Sequence, residues 1–553
     1  MKQPLIPPSE RWIWLFLFAM AWMAGMHLSL WDQDESAYAG FAFQMIESGN
    51  WLIPDFLWSE VHRKPPLHFW AIALSNLLFG FHEFAIRIPS LLAIFGTVLL
   101  VRYQAVQVFG EQVAKTAAWI LAGNILLLQL IKISVTDSSL LFFETLAALS
   151  LINFLHQAKA RYWWLLLLGT TGALLVKGPP VLILLFGMLG LFLVFSHERR
   201  KIIGLHPWLL FPLAALPLFL WGWFAWQSDG GIFILWMVDW YTIRRVSSEV
   251  FGQTGPPGYH FVLILLAFLP FIPLFFKSAK SLIQQYSWKK PEYSNFILLA
   301  WLISGWVIYE LFKSKLPTYA IAAYPAIAIL VARQFVKLQA GAFLNELSLK
   351  AGLIVFAAIS FGVGIGIPLA MEIDYDGAAL FSDNIIMLGR LLGIILFSIS
   401  GAIIVMLLKS RFAIAFKLML SYSLCLLFGL WFVFVPAIET PRSGTKALAT
   451  WLAENIPPEK TVLLSKNMTL PSLAFYLKQQ NQAFEIAKSP DVWAKAIEEE
   501  QTYLVFNSDN IALLQETVTS AKLHFDIVYE KEAIILDFGK RTTWFVVKGS
   551  TPK

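Results

Sequence analysis

Cysteine is nearly absent from this chain of 553 residues. The single Cys425 lies inside an apolar run, so there is no intrachain disulfide, no Cys-based zinc site and no thiol relay. Charge is scarce as well. Asp, Glu, Lys and Arg together make up 14% of the residues, against roughly 25% in an ordinary soluble domain, which excludes a soluble globular enzyme. Heptads and low-complexity tracts are missing, and so is the pair of related halves that many transporters carry. The abundance is apolar: 58% hydrophobic residues, with 23 Trp and 46 Phe, is more than one core can bury, so much of it must face lipid. In such a protein a net charge of +6 follows from Lys and Arg kept in the inner loops. No nucleic-acid partner is expected.

The opening residues, MKQPLIPPSER, lead into an apolar stretch from Trp12 to Leu30. It is longer than the roughly 7–15 apolar residues of a secretory signal and no clear cleavage site follows, so a retained first span is expected. Further runs long enough to cross, roughly 17–25 residues, lie at 84–108, 112–131, 137–156, 161–176, 179–196, 206–226, 259–277, 294–312, 317–337, 350–370, 386–408 and 412–435. The run from Leu67 to Gly80 covers only about 14 residues and reads as interfacial or re-entrant. With Met1 inside and that run not crossing, every inner loop is basic. These loops hold Lys115; Lys159 and Arg161; Arg199 to Lys201; Lys277, Lys280, Lys289 and Lys290; Arg333, Lys337 and Lys350; Lys409 and Arg411. The positive-inside rule demands this distribution, and counting Leu67 to Gly80 as a span would break it. The expectation is a polytopic α-helical membrane protein with about thirteen transmembrane helices in residues 1–436, a first outer loop at 31–83, the N-terminus inside and the C-terminus outside.

Residues 437–553 have soluble character. Helix-like stretches at 446–454, 472–478 and 492–499 alternate with strand-like ones at 462–465, 503–506 and 542–547, and 534–538 with 544–547 reads as a hairpin. A small α/β domain on the outer side follows.

Charges on the outer side are few and clustered. Trp31-Asp32-Gln33-Asp34-Glu35-Ser36-Ala37-Tyr38 sets three carboxylates at the mouth of the first span, and Asp137 stands on the same face. Cations on that side go against the rule and need a reason: Arg63-Lys64 before a rigid Pro-Pro, Lys132, Lys177, Arg244-Arg245, and Lys313-Ser314-Lys315-Leu316-Pro317-Thr318-Tyr319. Anion binding supplies one, because Lys ammonium groups act as movable point charges for a phosphate and a Tyr hydroxyl can donate to a phosphoryl oxygen. Acids and cations at one interface fit group transfer from a phosphate-bearing lipid, a carboxylate orienting or deprotonating the acceptor while cations stabilise the leaving phosphate. His62 and His68 fit no common zinc spacing and read as interfacial hydrogen-bonding groups. His260 follows a rigid Gly-Pro-Pro-Gly turn that enters a span and reads as a support for the acceptor loop.

Asp34-Glu35-Ser36-Ala37-Tyr38-Ala39, Arg63-Lys64-Pro65-Pro66-Leu67, Val135-Thr136-Asp137, Lys177-Gly178-Pro179 and Lys313 to Tyr319 occur in the order and approximate spacing of one family. The chain resembles the ArnT-like glycosyltransferases of lipid A modification and, more distantly, the protein O-mannosyltransferases. That resemblance implies a GT-C fold and a polyprenyl-phosphate sugar donor used on the periplasmic face of a bacterial inner membrane. It also implies that Asp34 is the catalytic aspartate of the first outer loop and Asp137 its second-loop companion. Lys64, Lys177 and Tyr319 match positions lining the lipid phosphate, Tyr38 an active-site tyrosine, and Arg244 or Arg245 an arginine of the long outer loop. Where the aminoarabinose transferases carry Glu-Lys-Pro, this chain has Arg63-Lys64-Pro65, which removes a metal ligand.

The expected site therefore has Asp34, Glu35 and Asp137 as catalytic carboxylates, with Tyr38, Arg63, Lys64, Lys177, Arg244, Arg245, Lys313, Lys315 and Tyr319 binding substrate. No metal ligand set is assigned and the cofactor is left open. The expected activity is an inverting transfer of a hexosyl or pentosyl group from polyprenyl phosphate to a lipid A-like or other cell-envelope acceptor, glycan and protein acceptors included. Two alternatives stand beside it: protein O-mannosylation and, from another class, transport of a polyprenyl-phosphate lipid.

Overall fold

A computed structural model describes residues 5–57, 59–240, 254–285, 292–340, 347–375, 378–465, 470–487, 489–498, 502–520, 523–535 and 540–550. Among these, seven helices are long and apolar enough to cross a bilayer: Glu83–Phe109, Thr136–Gln157, Lys201–Asp229, Ile321–Gln339, Leu347–Glu372, Asp383–Leu408 and Phe412–Ala437. Two further runs are broken, Glu111–Ala122 with Ile125–Lys132 at 55° and Tyr259–Ala267 with Leu269–Ile283 at 87°. Counting each broken pair once gives nine spans. The thirteen expected are not reached by this measure because several apolar runs form short helices: 13 residues in Arg11–Met23, 17 in Ala160–Val176 and 16 in Pro180–Phe195. Leu67–Phe79 is also a helix of 13 residues. At 1.5 Å per residue it is about 20 Å long, short of a hydrocarbon core of about 30 Å.

Two packing features set the geometry of the site. Helices Thr136–Gln157 and Ala160–Val176 run side by side, and a Cβ at Gly169 would lie 2.7 Å from the backbone nitrogen of Ala147. Only a residue without a side chain permits that approach. At the far end, Lys177 and Gly178 both donate backbone N–H groups to the Ala173 carbonyl, and Gly178 takes φ +81°. This glycine-type stop is followed by Pro180 at the first position of the next helix, which favours an immediate restart. Lys177 is thereby held at a tight corner beside the start of helix Thr136–Gln157.

The C-terminal part forms a five-stranded mixed sheet in the order Phe484–Ala487, Val462–Ser465, Tyr503–Asn507, Lys540–Ser550, His524–Ile535. The first three strands are parallel and the last two pair antiparallel. The hairpin is longer than the sequence implied, beginning at His524, and strand Phe484–Ala487 and helix Ile511–Ser520 are additions to the expected elements. Its core is continuous with the first outer loop: Leu30, Phe41, Met45 and Phe69 belong to the same buried cluster as Leu448, Phe475, Val505 and Trp544. Polar contacts reinforce the seam. Leu30 N–H donates to the Tyr476 hydroxyl at 2.8 Å, Tyr476 donates to Glu83 at 3.2 Å, Lys446 pairs with Glu83, and Arg442 donates to the Ser29 carbonyl at 2.9 Å.

Candidate active site

Asp34 and Asp137, two of the three catalytic acids singled out by the sequence, lie at helix starts, where the free N–H groups favour a carboxylate. Asp34 is the first residue of helix Asp34–Ser48, and Gln33 before it takes φ +65° and ψ −93°. That is a strained conformation for a residue with a side chain, and it turns the chain sharply into the helix. Asp137 is the second residue of Thr136–Gln157.

Asp34 has a side chain 56% exposed. Its Oδ1 accepts from His62 Nδ1 at 2.8 Å and from the Tyr38 hydroxyl at 3.3 Å. Lys64 donates to Tyr38, with its ammonium 4.6 Å from the ring centroid, so a chain of donors runs Lys64 to Tyr38 to Asp34. Asp137 takes Lys177 Nζ at 2.8 Å, both side chains being less than 15% exposed. The two pairs are neighbours, since the charges of Lys64 and Lys177 act on Asp34 and on Asp137 alike. Desolvation by the protein around it raises the pKa of Asp34, but Lys64, the hydrogen bond and charge of His62, and Lys177 together outweigh it and hold the carboxyl below the usual carboxylate range. Asp34 is ionised at neutral pH.

A wall of ordered side chains supports this cluster. Tyr38 packs on Phe69 with centroids 5.1 Å apart, and His68 bonds Ser139 Oγ at 2.9 Å. Tyr319 lies between Tyr309, 5.9 Å away, and His260, whose ring is 6.4 Å away and tilted by 24°. His260 Nε2 donates to the Leu316 carbonyl at 3.0 Å and its Nδ1 lies 3.5 Å from Glu310. This contact ties segment 313–319 to helix Tyr259–Ala267.

Other expected residues do different work. Glu35 does not face the cleft. It is fully buried in a two-point pair with Arg87, 2.8 and 2.9 Å, and also accepts the N–H groups of Trp31 and Ser134 at 2.9 Å. Its neighbour Asp34 points the other way because adjacent helical residues lie about 100° apart around the axis. Lys315 is buried and donates to the carbonyls of Glu310 and Phe312, so it closes a helix end in place of clamping a phosphate. Lys132 likewise caps helix Arg11–Met23 through the carbonyls of Ala21, Trp22 and Ala24. Arg63 pairs with Asp55 and lies 5.9 Å over the Phe233 ring. Lys313 is exposed. Arg244 and Arg245 lie outside the described residues.

Two contributors were missed in the sequence. Arg87 sits in an apolar run, where a lone cation at depth signals a buried partner. Glu144, two turns below Asp137 on the same helix, is 2% exposed with one carboxylate oxygen lacking a hydrogen-bond partner among the described residues. No three His, Cys, Asp or Glu side chains among the described residues gather as a metal site.

Residues 63–223 match the family model described as dolichyl-phosphate-mannose-protein mannosyltransferase. An undecaprenyl phosphate-alpha-4-amino-4-deoxy-L-arabinose arabinosyl transferase of Proteus mirabilis is 27% identical over 358 residues, 61% of either chain. The corresponding transferase of Erwinia tasmaniensis is 26% identical over 63% of this chain and 62% of its own. The aligned region is thus less than two thirds of these relatives. In structure, ArnT from Cupriavidus metallidurans, crystallised bound to undecaprenyl phosphate, superposes with a TM-score of 0.75 at 17% identity, covering 97% of this chain and 98% of its own. In fold the chain is like ArnT: a bundle of long apolar helices of the GT-C architecture with a small C-terminal sheet domain.

Proposed function

We propose that the chain is an inverting glycosyltransferase that moves a sugar from a polyprenyl phosphate to a lipid acceptor of the cell envelope. Residues 1–436 carry the reaction and residues 437–553 form a domain beside the cleft. The N-terminus lies in the cytoplasm, with the cleft and the C-terminus in the periplasm of a bacterial inner membrane. The observation that carries this reading is the meeting of two acid and lysine pairs, Asp34 with Lys64 through Tyr38 and Asp137 with Lys177, at one end of the helix bundle. The named relatives supply the chemical class of the donor.

Charge is conserved within the cluster during the step. The acceptor hydroxyl gives its proton to Asp34 and its oxygen forms a bond to the anomeric carbon. The bond from that carbon to the phosphate oxygen breaks on the opposite face, and the phosphate leaves with one more negative charge. Asp34 loses its charge as the phosphate gains one, so Lys64 can follow the charge toward the leaving group. Lys177, held at its corner by Asp137, stabilises the same oxygens. Tyr38 and Tyr319 line the path between them.

The test is a transfer assay in membrane vesicles with two labelled donors, undecaprenyl phosphate-linked 4-amino-4-deoxy-L-arabinose and polyprenyl-phosphate mannose, following label lost from the carrier and gained by lipid. Transfer to lipid supports the reading; vesicles that move the intact labelled carrier across the bilayer without cleaving it would replace it with transport. The family match over residues 63–223 favours a second reading, protein O-mannosylation. Label or a hexose mass shift on Ser and Thr peptides identifies that case.

A further inference from the structure

We propose that His62 is a positioning residue for the catalytic carboxylate, fixing Asp34 so that one oxygen is held and the other faces the acceptor. This rests on the reading of Asp34 as the base. The two oxygens of Asp34 are unequal. Oδ1 takes both hydrogen bonds, from His62 Nδ1 and from Tyr38, while no hydrogen bond from the described residues reaches Oδ2. A carboxylate only accepts, so the hydrogen in the 2.8 Å contact is on Nδ1. In neutral His62 this selects the Nδ1–H tautomer.

The contact is built from two separate pieces of chain. His62 ends the short turn Glu60–His62, where its backbone N–H donates to the Ser59 carbonyl at 2.9 Å, and it lies 28 residues from Asp34. Its side chain is 11% exposed while that of Asp34 is 56% exposed. A covered imidazole thus restrains an open carboxylate. Without it, Asp34 keeps only the longer 3.3 Å bond from Tyr38, and its side chain is free to sample other rotamers. Misplacement of a reacting group by about 1 Å costs on the order of 100-fold in rate. Lys64, two residues on, delivers its charge through Tyr38, so one loop sets both the orientation and the electrostatics of Asp34.

The test compares His62→Ala, His62→Asn and Asp34→Asn in the full-length protein in detergent, with undecaprenyl phosphate-linked 4-amino-4-deoxy-L-arabinose and polyprenyl-phosphate mannose as donors. Asn places an amide N–H near the position of imidazole Nδ1; Ala offers none. His62→Ala is expected to lower kcat by about 10- to 100-fold with KM for the donor nearly unchanged, and His62→Asn to recover most of the loss. A kcat for His62→Ala within twofold of wild type, or His62→Asn no faster than His62→Ala, overturns the proposal. If Asp34→Asn is inactive while His62→Ala is unimpaired, His62 alone is misassigned. If Asp34→Asn turns over normally, the assignment of the base itself fails.

Discussion

Glu35 and Arg87 meet edge to edge at 2.8 and 2.9 Å with essentially no exposure, while the side chain of Asp34, the residue before Glu35, is exposed. Arg87 also gathers the carbonyls of Gly25, Met26, Leu28 and Ser29. One ion pair thus fixes the turn out of the first helix, the start of helix Asp34–Ser48, helix Glu83–Gln104 and Ser134. On the proposed mechanism this pair holds the base in place.

Breaking this pair is expected to unfold the site. Removing one partner from a buried pair costs about 3–5 kcal/mol, so Glu35→Gln and Arg87→Ala should lower the melting temperature in detergent sharply and reduce folded yield. Arg87→Lys should not rescue, because an ammonium cannot reproduce the two-point contact. Glu35→Gln with an unshifted melting temperature and no transfer would instead put Glu35 in the chemistry.

Lys177 and Asp137 act as a unit. On the proposed mechanism Lys177→Ala removes a charge that stabilises the leaving phosphate and should lower kcat/KM by about 100- to 1,000-fold; Asp137→Asn, which frees the lysine from its corner, should cost about tenfold or more. The double variant is expected to be little worse than Lys177→Ala, since paired residues are not additive. Fully additive losses would show that Asp137 has a separate function.

Asp32 gives a pH-dependent stability. Burial pushes its pKa from 3.8 up to about 6, against the pull of Ser472, Arg442 and Ser36, and one of its carboxylate oxygens has no hydrogen-bond partner among the described residues. Because the folded-state value is the higher, folding favours the protonated form. That contribution is complete below the unfolded value and is lost as pH rises through about 6. Asp32→Asn should therefore be more stable than wild type at pH 7.5 by about 1–2 kcal/mol, with the difference vanishing toward pH 4. A less stable variant at pH 7.5 would mean that the ionised group holds the C-terminal domain.

Much of this was legible in the sequence, and the failures share a cause. Asp34, Lys64, Asp137 and Lys177 stand next to turn residues, Pro65-Pro66 and Gly178-Pro179 among them, whose local conformational limits fix where each charge sits. Glu35, Lys315 and Lys132 carry the same kinds of charge, but their partners are backbone groups or an arginine far along the chain, and only packing brings those together. His62 was read as a hydrogen-bonding residue without its partner for the same reason. Apolar length also does not reveal where a helix stops or bends, as at the 16-residue helix Pro180–Phe195 and the 87° bend near Phe268 and Leu269.

The measurement that bears most directly on the account compares Asp34→Asn with wild type, binding of undecaprenyl phosphate and transfer of labelled sugar being followed on the same purified protein. Asn keeps the volume and an acceptor oxygen but cannot take the proton. The account predicts binding within about threefold of wild type and transfer reduced by about 1,000-fold or more. Transfer within tenfold of wild type in the folded variant would contradict it.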